Sequence, residues 1–145
     1  MNEKMARLFK ATAATFVIAI SLVAPGACSR EHSELDGTQW ALTEWTLSSL
    51  SPRDFSITAR FADGTIAGHS GVNSYGGPYE LGPRRAFAVG QLASTQMAGP
   101  EPAMRAEGAY LTLLGQAKSY RLSSGRLTLF DAGGNESLIF EAAKR

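Results

Sequence analysis

The feature that most restricts this chain's fold is the spacing of its chain-reversing residues. From Leu35 onward, apolar residues alternate with polar ones in short runs, and most runs are soon cut by Gly, Pro, Asn or Asp. Trp40 and Leu42 alternate with Gln39 and Ala41, and Trp45 and Leu47 continue one residue out of phase, which predicts a long strand carrying a bulge. Phe55, Ile57, Ala59 and Phe61 share one face of a period-two run whose other face is Ser56, Thr58 and Arg60, a half-buried strand. Asp63-Gly64 is a strong hairpin turn, and Thr65-Ile66-Ala67 returns from it. Residues 68–85, GHSGVNSYGGPYELGPRR, hold five glycines and two prolines, too many for a helix. Short strands are expected around Phe87–Val89 and Leu92–Ser94, then a hairpin over Leu122–Leu127, a turn over Asp131–Asn135 and a last strand at Leu138–Phe140.

One stretch has a different period. After Pro100 and Pro102, the residues Ala103, Ala106, Tyr110, Leu113, Leu114 and Ala117 recur at three- and four-residue steps. Glu101 and Glu107 lie toward its start and Lys118 at its end, the sense that the helix dipole favours. A helix is predicted over about 101–117. Seven or eight short strands and one late helix make a mainly β domain of the α+β class. The expected architecture is a small antiparallel sheet curled into an incomplete barrel, with the helix packed over the opening. Trp40 reads as a core aromatic, and Gly71 and Gly77 as structural positions in a turn-rich segment that needs positive φ.

Ahead of this body the composition changes. Lys4, Arg7 and Lys10 precede an uncharged run from Ala11 to Ala24, the layout of a secretory signal. The run is shorter than the roughly 20 residues that span a bilayer as a helix. Cys28, the chain's one cysteine, follows Gly26 and Ala27 directly after it, which resembles a lipobox; Pro25 stands where such a motif usually has Leu. The reading is a signal peptide over 1–27, lipidation at Cys28 and a polar tether over 28–34. The protein is then membrane-anchored in the cell envelope, on the periplasmic side of an outer membrane if the cell is Gram-negative. The alternative is a secreted or periplasmic soluble protein.

Candidate chemistry is sparse. The chain carries 14 basic and 13 acidic residues, without the basic face that nucleic acid requires. His69-Ser70 lies among glycines but lacks the spacing of a nucleophile elbow, so a serine hydrolase using Ser70 is the weakest reading. Two histidines and one cysteine do not supply a metal site, and no phosphate-binding loop is present. No catalytic residue, metal or cofactor is expected. The polar cluster Asn73, Ser74 and Tyr75, with Tyr79 and the later Thr95, Gln96 and Met97, is open to two readings. It is either a structural bend locked by Asn73 or a recognition surface.

The ordered set of motifs resembles the META domain, the HslJ-like family. It opens with Leu35-Asp36-Gly37-Thr38-Gln39-Trp40 and centres on residues 68–79. It continues through Leu92–Ala98, Glu101 and the helix, and closes with Gly125-Arg126-Leu127-Thr128-Leu129. The resemblance covers 35–143. It implies an envelope protein tied to stress and drug tolerance, with a barrel similar to lipoproteins that chaperone secretion pores. Family members often carry two cysteines where this chain has Val72 and Gly99, which implies that the two positions meet and that packing of Val72 replaces a disulfide. The expected function is non-enzymatic: a binding or chaperone-like module whose partner is an envelope protein or an apolar ligand held in a groove near Leu114. The alternative is a protective lipoprotein acting through protein contacts alone.

Overall fold

The computed structural model describes residues 33–46 and 49–143. The signal-like segment, Cys28, the first part of the tether and Leu47 lie outside the described residues. Strands run over Gln39–Trp45 (β1), Thr58–Ala62 (β2), Thr65–His69 (β3), Ser74–Gly82 (β4), Ala86–Val89 (β5), Ala93–Ser94 (β6), Ser119–Ser123 (β7), Arg126–Phe130 (β8) and Glu136–Ala142 (β9). One α-helix, α1, spans Glu101–Gln116. The helix starts and stops as its period predicts, with Pro102 in its first turn, where a missing N–H costs nothing.

Two expectations are corrected. The run beginning at Phe55 does not start as a strand. Pro52–Phe55 forms a 3-10 turn, because Pro52 presets its first φ and Ser56 ends it in the left-handed region at φ 50. The glycine-rich stretch contains the longest strand, β4. Its inward positions are Tyr75, Gly77, Tyr79 and Leu81, an alternation hidden by a glycine. The space over Gly77 is taken by Leu92, whose Cδ2 would lie 2.9 Å from a Cβ placed there.

The length of β4 also closes the barrel, which the sequence reading left incomplete. Residues 74–78 pair with β3 and residues 79–82 pair with β5, so one strand joins the two ends of the sheet. The ring runs β3-β2-β1-β9-β8-β7-β5-β4 and back to β3, with β6 as a short added partner of β4. Every pairing is antiparallel. The thinnest seam lies between β5 and β7, where Ala86 faces Ser119 and the Phe87 N–H donates to the Lys118 carbonyl at 2.9 Å.

Curvature comes from two bulges, each closed by a buried hydroxyl. The predicted slip in β1 falls between Leu42 and Glu44, and the extra residue, Thr43, donates through Oγ1 to the Ile139 carbonyl at 3.1 Å. The second interrupts the β8–β9 ladder, and Ser137 donates through Oγ to the Leu129 carbonyl at 3.2 Å. Both add the local twist that a small barrel needs.

Side chains fill the interior. Trp40, Leu42, Phe61, Ile66, Phe87, Leu127, Leu129, Leu138 and Phe140 form the centre. α1 adds Tyr110, Leu113 and Leu114, closing the end that carries the β3–β4 connection. The other end is stopped by the turn preceding β1. Leu35 is wholly buried there, the Gly37 N–H donates to the Phe61 carbonyl at 2.8 Å, and the Asp63 N–H donates to Asp36 Oδ1 at 2.6 Å. Ser33 and Glu34, assigned to the tether from their polarity, belong to this stopper. The Tyr79 hydroxyl donates to Ser33 Oγ at 3.0 Å, and Glu34 accepts from Arg85 at 2.6 Å and from the Tyr120 hydroxyl. Burial and then the Glu34 carboxylate push the Tyr120 pKa up to about 12, with Arg85 acting the other way. The last described residue, Ala143, donates its N–H to the Gln39 carbonyl at 2.9 Å, so it lies at the same end of the barrel as the start of β1.

Candidate functional site

The polar residues of the β3–β4 connection converge on one carboxylate. Gly71, at φ 124, lets the chain reverse between Ser70 and Asn73, and a Cβ there would lie 3.2 Å from the Ala103 carbonyl of α1. The reversal aims three donors at Glu107 Oε2: Ser70 Oγ at 2.6 Å, the Asn73 N–H at 2.8 Å and the Val72 N–H at 3.3 Å. Glu107 Oε1 accepts from Asn73 Nδ2 at 2.9 Å. Ser70, Asn73 and Glu107 are all buried. Burial by itself would raise the Glu107 pKa; the hydrogen bonds from Ser70, Asn73 and Val72 outweigh it and hold the carboxyl below its ordinary value of 4.5.

Asn73 passes the connection onward. Its Nδ2 also donates to the Met97 carbonyl at 3.1 Å, and its Oδ1 accepts from the Met97 N–H at 2.8 Å and from Thr95 Oγ1 at 2.7 Å. Two donors and two acceptor positions are thereby all used, the full capacity of an amide side chain. Ser74 and Thr95 exchange further bonds: the Ser74 N–H to Thr95 Oγ1 at 3.2 Å, and the Thr95 N–H to the Ser74 carbonyl at 3.0 Å. Next to this cluster, Val72 packs against Gly99: a Cβ at 99 would come within 2.7 Å of Val72 Cγ2, so the two positions do meet.

The segment read either as a bend locked by Asn73 or as a recognition surface therefore divides. Ser74, Thr95, Gln96 and Met97 are exposed, Met97 at 57 %. Asn73, Tyr75 and Tyr79 are inside and cannot line a surface in the folded protein. Tyr75 donates to the Thr58 carbonyl at 3.0 Å, and its single proton is thereby committed, so Tyr110, 2.6 Å away, is the donor between the two hydroxyls. Burial holds both phenols well above the ordinary value of 10.0. The Tyr110 bond partly offsets this at Tyr75, whereas the Tyr75 charge and bond add to it at Tyr110. These phenols act as hydrogen-bonded wall, not as acids. Ser70 is 0 % exposed and bonded to Glu107, so the hydroxyl a serine-hydrolase reading needs is closed off. Leu114, expected beside an apolar groove between helix and sheet, is fully buried in the core and is not open to a ligand from outside. Trp40 is core, and Gly71 and Gly77 sit where a side chain would crowd backbone.

The sequence reading missed the role of Glu107, which it treated as a charge at the favourable end of a dipole. The signal was its phase: it lies four residues after Ala103 and three before Tyr110, on the stripe that faces inward. Among the described residues, no group of three or more His, Cys, Asp or Glu converges as metal ligands. No described helix is long and apolar enough to cross a membrane.

An eight-stranded closed antiparallel barrel, stopped at one end by a turn and at the other by a helix bound through a buried carboxylate, defines the class of this protein. Residues 33–144 match the META domain, and the chain belongs to that family. It is similar to a protein from Burkholderia xenovorans solved by NMR, with 28 % identity and a TM-score of 0.64 over 77 % of this chain and 85 % of that one. A second NMR structure is similar at 18 % identity and a TM-score of 0.58, covering 74 % and 90 %. A crystal structure of a DUF4847 family protein from Bacteroides vulgatus shares the fold at 15 % identity and a TM-score of 0.56, covering 77 % and 96 %. No curated protein matches the chain.

Proposed function

We propose that this protein is an exported, lipid-anchored META-domain module of the bacterial envelope that works by non-covalent recognition, in the manner of a binding or chaperone-like factor in envelope stress. The observation that carries the recognition reading is the grip of Asn73 on the main chain of Met97. A saturated, buried network supports one exposed strip, Ser74 with Thr95–Met97, on a rigid base. Fixing a surface before contact lowers the entropy cost of binding, which supports the recognition reading. The anchor reading rests on Cys28 and the apolar run before it.

The test combines fractionation with crosslinking in cells. Wild type is expected in the membrane fraction and Cys28→Ser in the soluble envelope fraction; identical fractionation would remove the anchor. A photoreactive residue at Gln96 is expected to crosslink one envelope component reproducibly, while the same residue at exposed Glu80 does not. Equal patterns at both positions would overturn the recognition strip. A protective protein that acts through broad contacts would give that second result.

A further inference from the structure

A separate concavity lies on the outside of the barrel, away from the Asn73 network. Gln39, Arg60 and Ala67 stand abreast on β1, β2 and β3, all on the outer face. The regular ladder between β2 and β3 stops at Arg60 and Ala67. Beyond it the Thr58 carbonyl turns inward to the Tyr75 hydroxyl, and Thr58 Oγ1 takes the His69 N–H at 3.1 Å. Gly68 permits the turn: a Cβ there would fall 2.1 Å from the Thr58 oxygen. Over this inward bend lies a groove of about 350 Å³, lined chiefly by Gln39, Thr58, Arg60, Ala67, Gly68 and Ala143. That volume is at the lower end of small-molecule sites, about 300–1,000 Å³.

Among the described residues the lining has one charge, Arg60. Arg53, Arg85, Arg105, Arg121 and Arg126 each hold a carboxylate, whereas Arg60, like Arg84 and Lys118, takes part in none of the ion pairs among the described residues, and of these three Arg60 alone lines the groove. A guanidinium is matched by a planar carboxylate, to which it can offer two parallel hydrogen bonds. The floor of alanine methyls and glycine backbone gives dispersion contact without directional groups, which suits a flexible apolar chain.

We propose that this groove binds a single-chain anionic amphiphile, its apolar chain lying over Ala67, Gly68 and Ala143 and its carboxylate meeting Arg60 and the Gln39 amide. The inference is independent of the recognition strip and of the anchor. The probe is a decanoate carrying a terminal diazirine, applied to membranes and soluble fractions of cells making the full chain, with labelled peptides mapped by mass spectrometry. Labelling is expected on the strands that hold Gln39 and Ala67, competed by plain decanoate and not by decylammonium. Arg60→Gln is expected to cut it roughly tenfold, the weight of one charge-assisted pair. Ala67→Trp, at a partly exposed position, is expected to abolish it while thermal unfolding stays near wild type. Labelling that ignores Arg60→Gln, or that decylammonium competes equally, overturns the proposal. Competition by phosphatidylglycerol vesicles but not by decanoate would also overturn it, by showing contact with a bilayer surface. Should Ala67→Trp unfold the protein, the Arg60→Gln result decides alone.

Discussion

At the scale of single residues, the molecule turns on Glu107. A buried carboxylate is stable here because four donors meet its charge, three at Oε2 and one at Oε1. Glu107→Ala would leave Ser70, Asn73 and Val72 facing a void, at a cost of about 1–3 kcal/mol for each buried donor left unpaired, read from urea unfolding. The acid limb follows from the sign of the shift. Folding lowers the Glu107 pKa, so the unfolded chain takes up its proton at higher pH than the folded one. The stability this group gives is complete above its unfolded pKa, near 4.5, and drains away as pH falls through the folded value. Glu107→Gln should therefore show a shallower loss of stability below about pH 4.5 than wild type; parallel acid limbs would refute the assignment. Part of the limb should persist in the variant. Asp131, bonded by the Asn135 N–H and side chain and by Gly133, is also held below its ordinary value.

At the scale of elements, the pieces with regular period were legible and the pieces shaped by contact were not. The helix announced itself through its spacing, and the β1 bulge through a slip in phase, because both follow from which side chains face inward. β4 did not, since Gly77 and Pro78 break its pattern and its inward space is filled from Leu92, outside the strand. Likewise the two open readings of this cluster could not be divided residue by residue, with Asn73, Tyr75 and Tyr79 inside and Ser74 and Thr95–Met97 outside, because burial of a polar side chain depends on partners distant in sequence. The β2–β3 crossing is the hardest of these to read, since the reason for Gly68 is the carbonyl of Thr58. It is also the easiest to test. Gly68→Ala forces a methyl against backbone that cannot swing aside, unlike the tip of a side chain. A loss of about 1–3 kcal/mol or more is expected by thermal or urea unfolding, although alanine is better than glycine by ordinary strand preference. A neutral result would show that β2 does not cross where the structure puts it.

At the scale of the whole molecule, the barrel is a closed ring stopped at both ends. The stopper before β1 is as much a part of the core as any strand. Leu35→Ala is expected to cost about 2–5 kcal/mol, measured by chemical unfolding, and to do so with little change in far-ultraviolet circular dichroism, because no strand contains it. A negligible cost would mean that the turn merely rests on the barrel. Ser33 enters and Ala143 leaves at one end of the barrel. Under the proposed anchor, which lies ahead of Ser33, the described chain both begins and ends at the anchored pole. The strip around Met97 belongs to the opposite pole, the one that would meet a partner under the proposed recognition reading. A reporter meant to watch that encounter without blocking it therefore belongs at the tail of the chain, and one meant to block it belongs at Gln96.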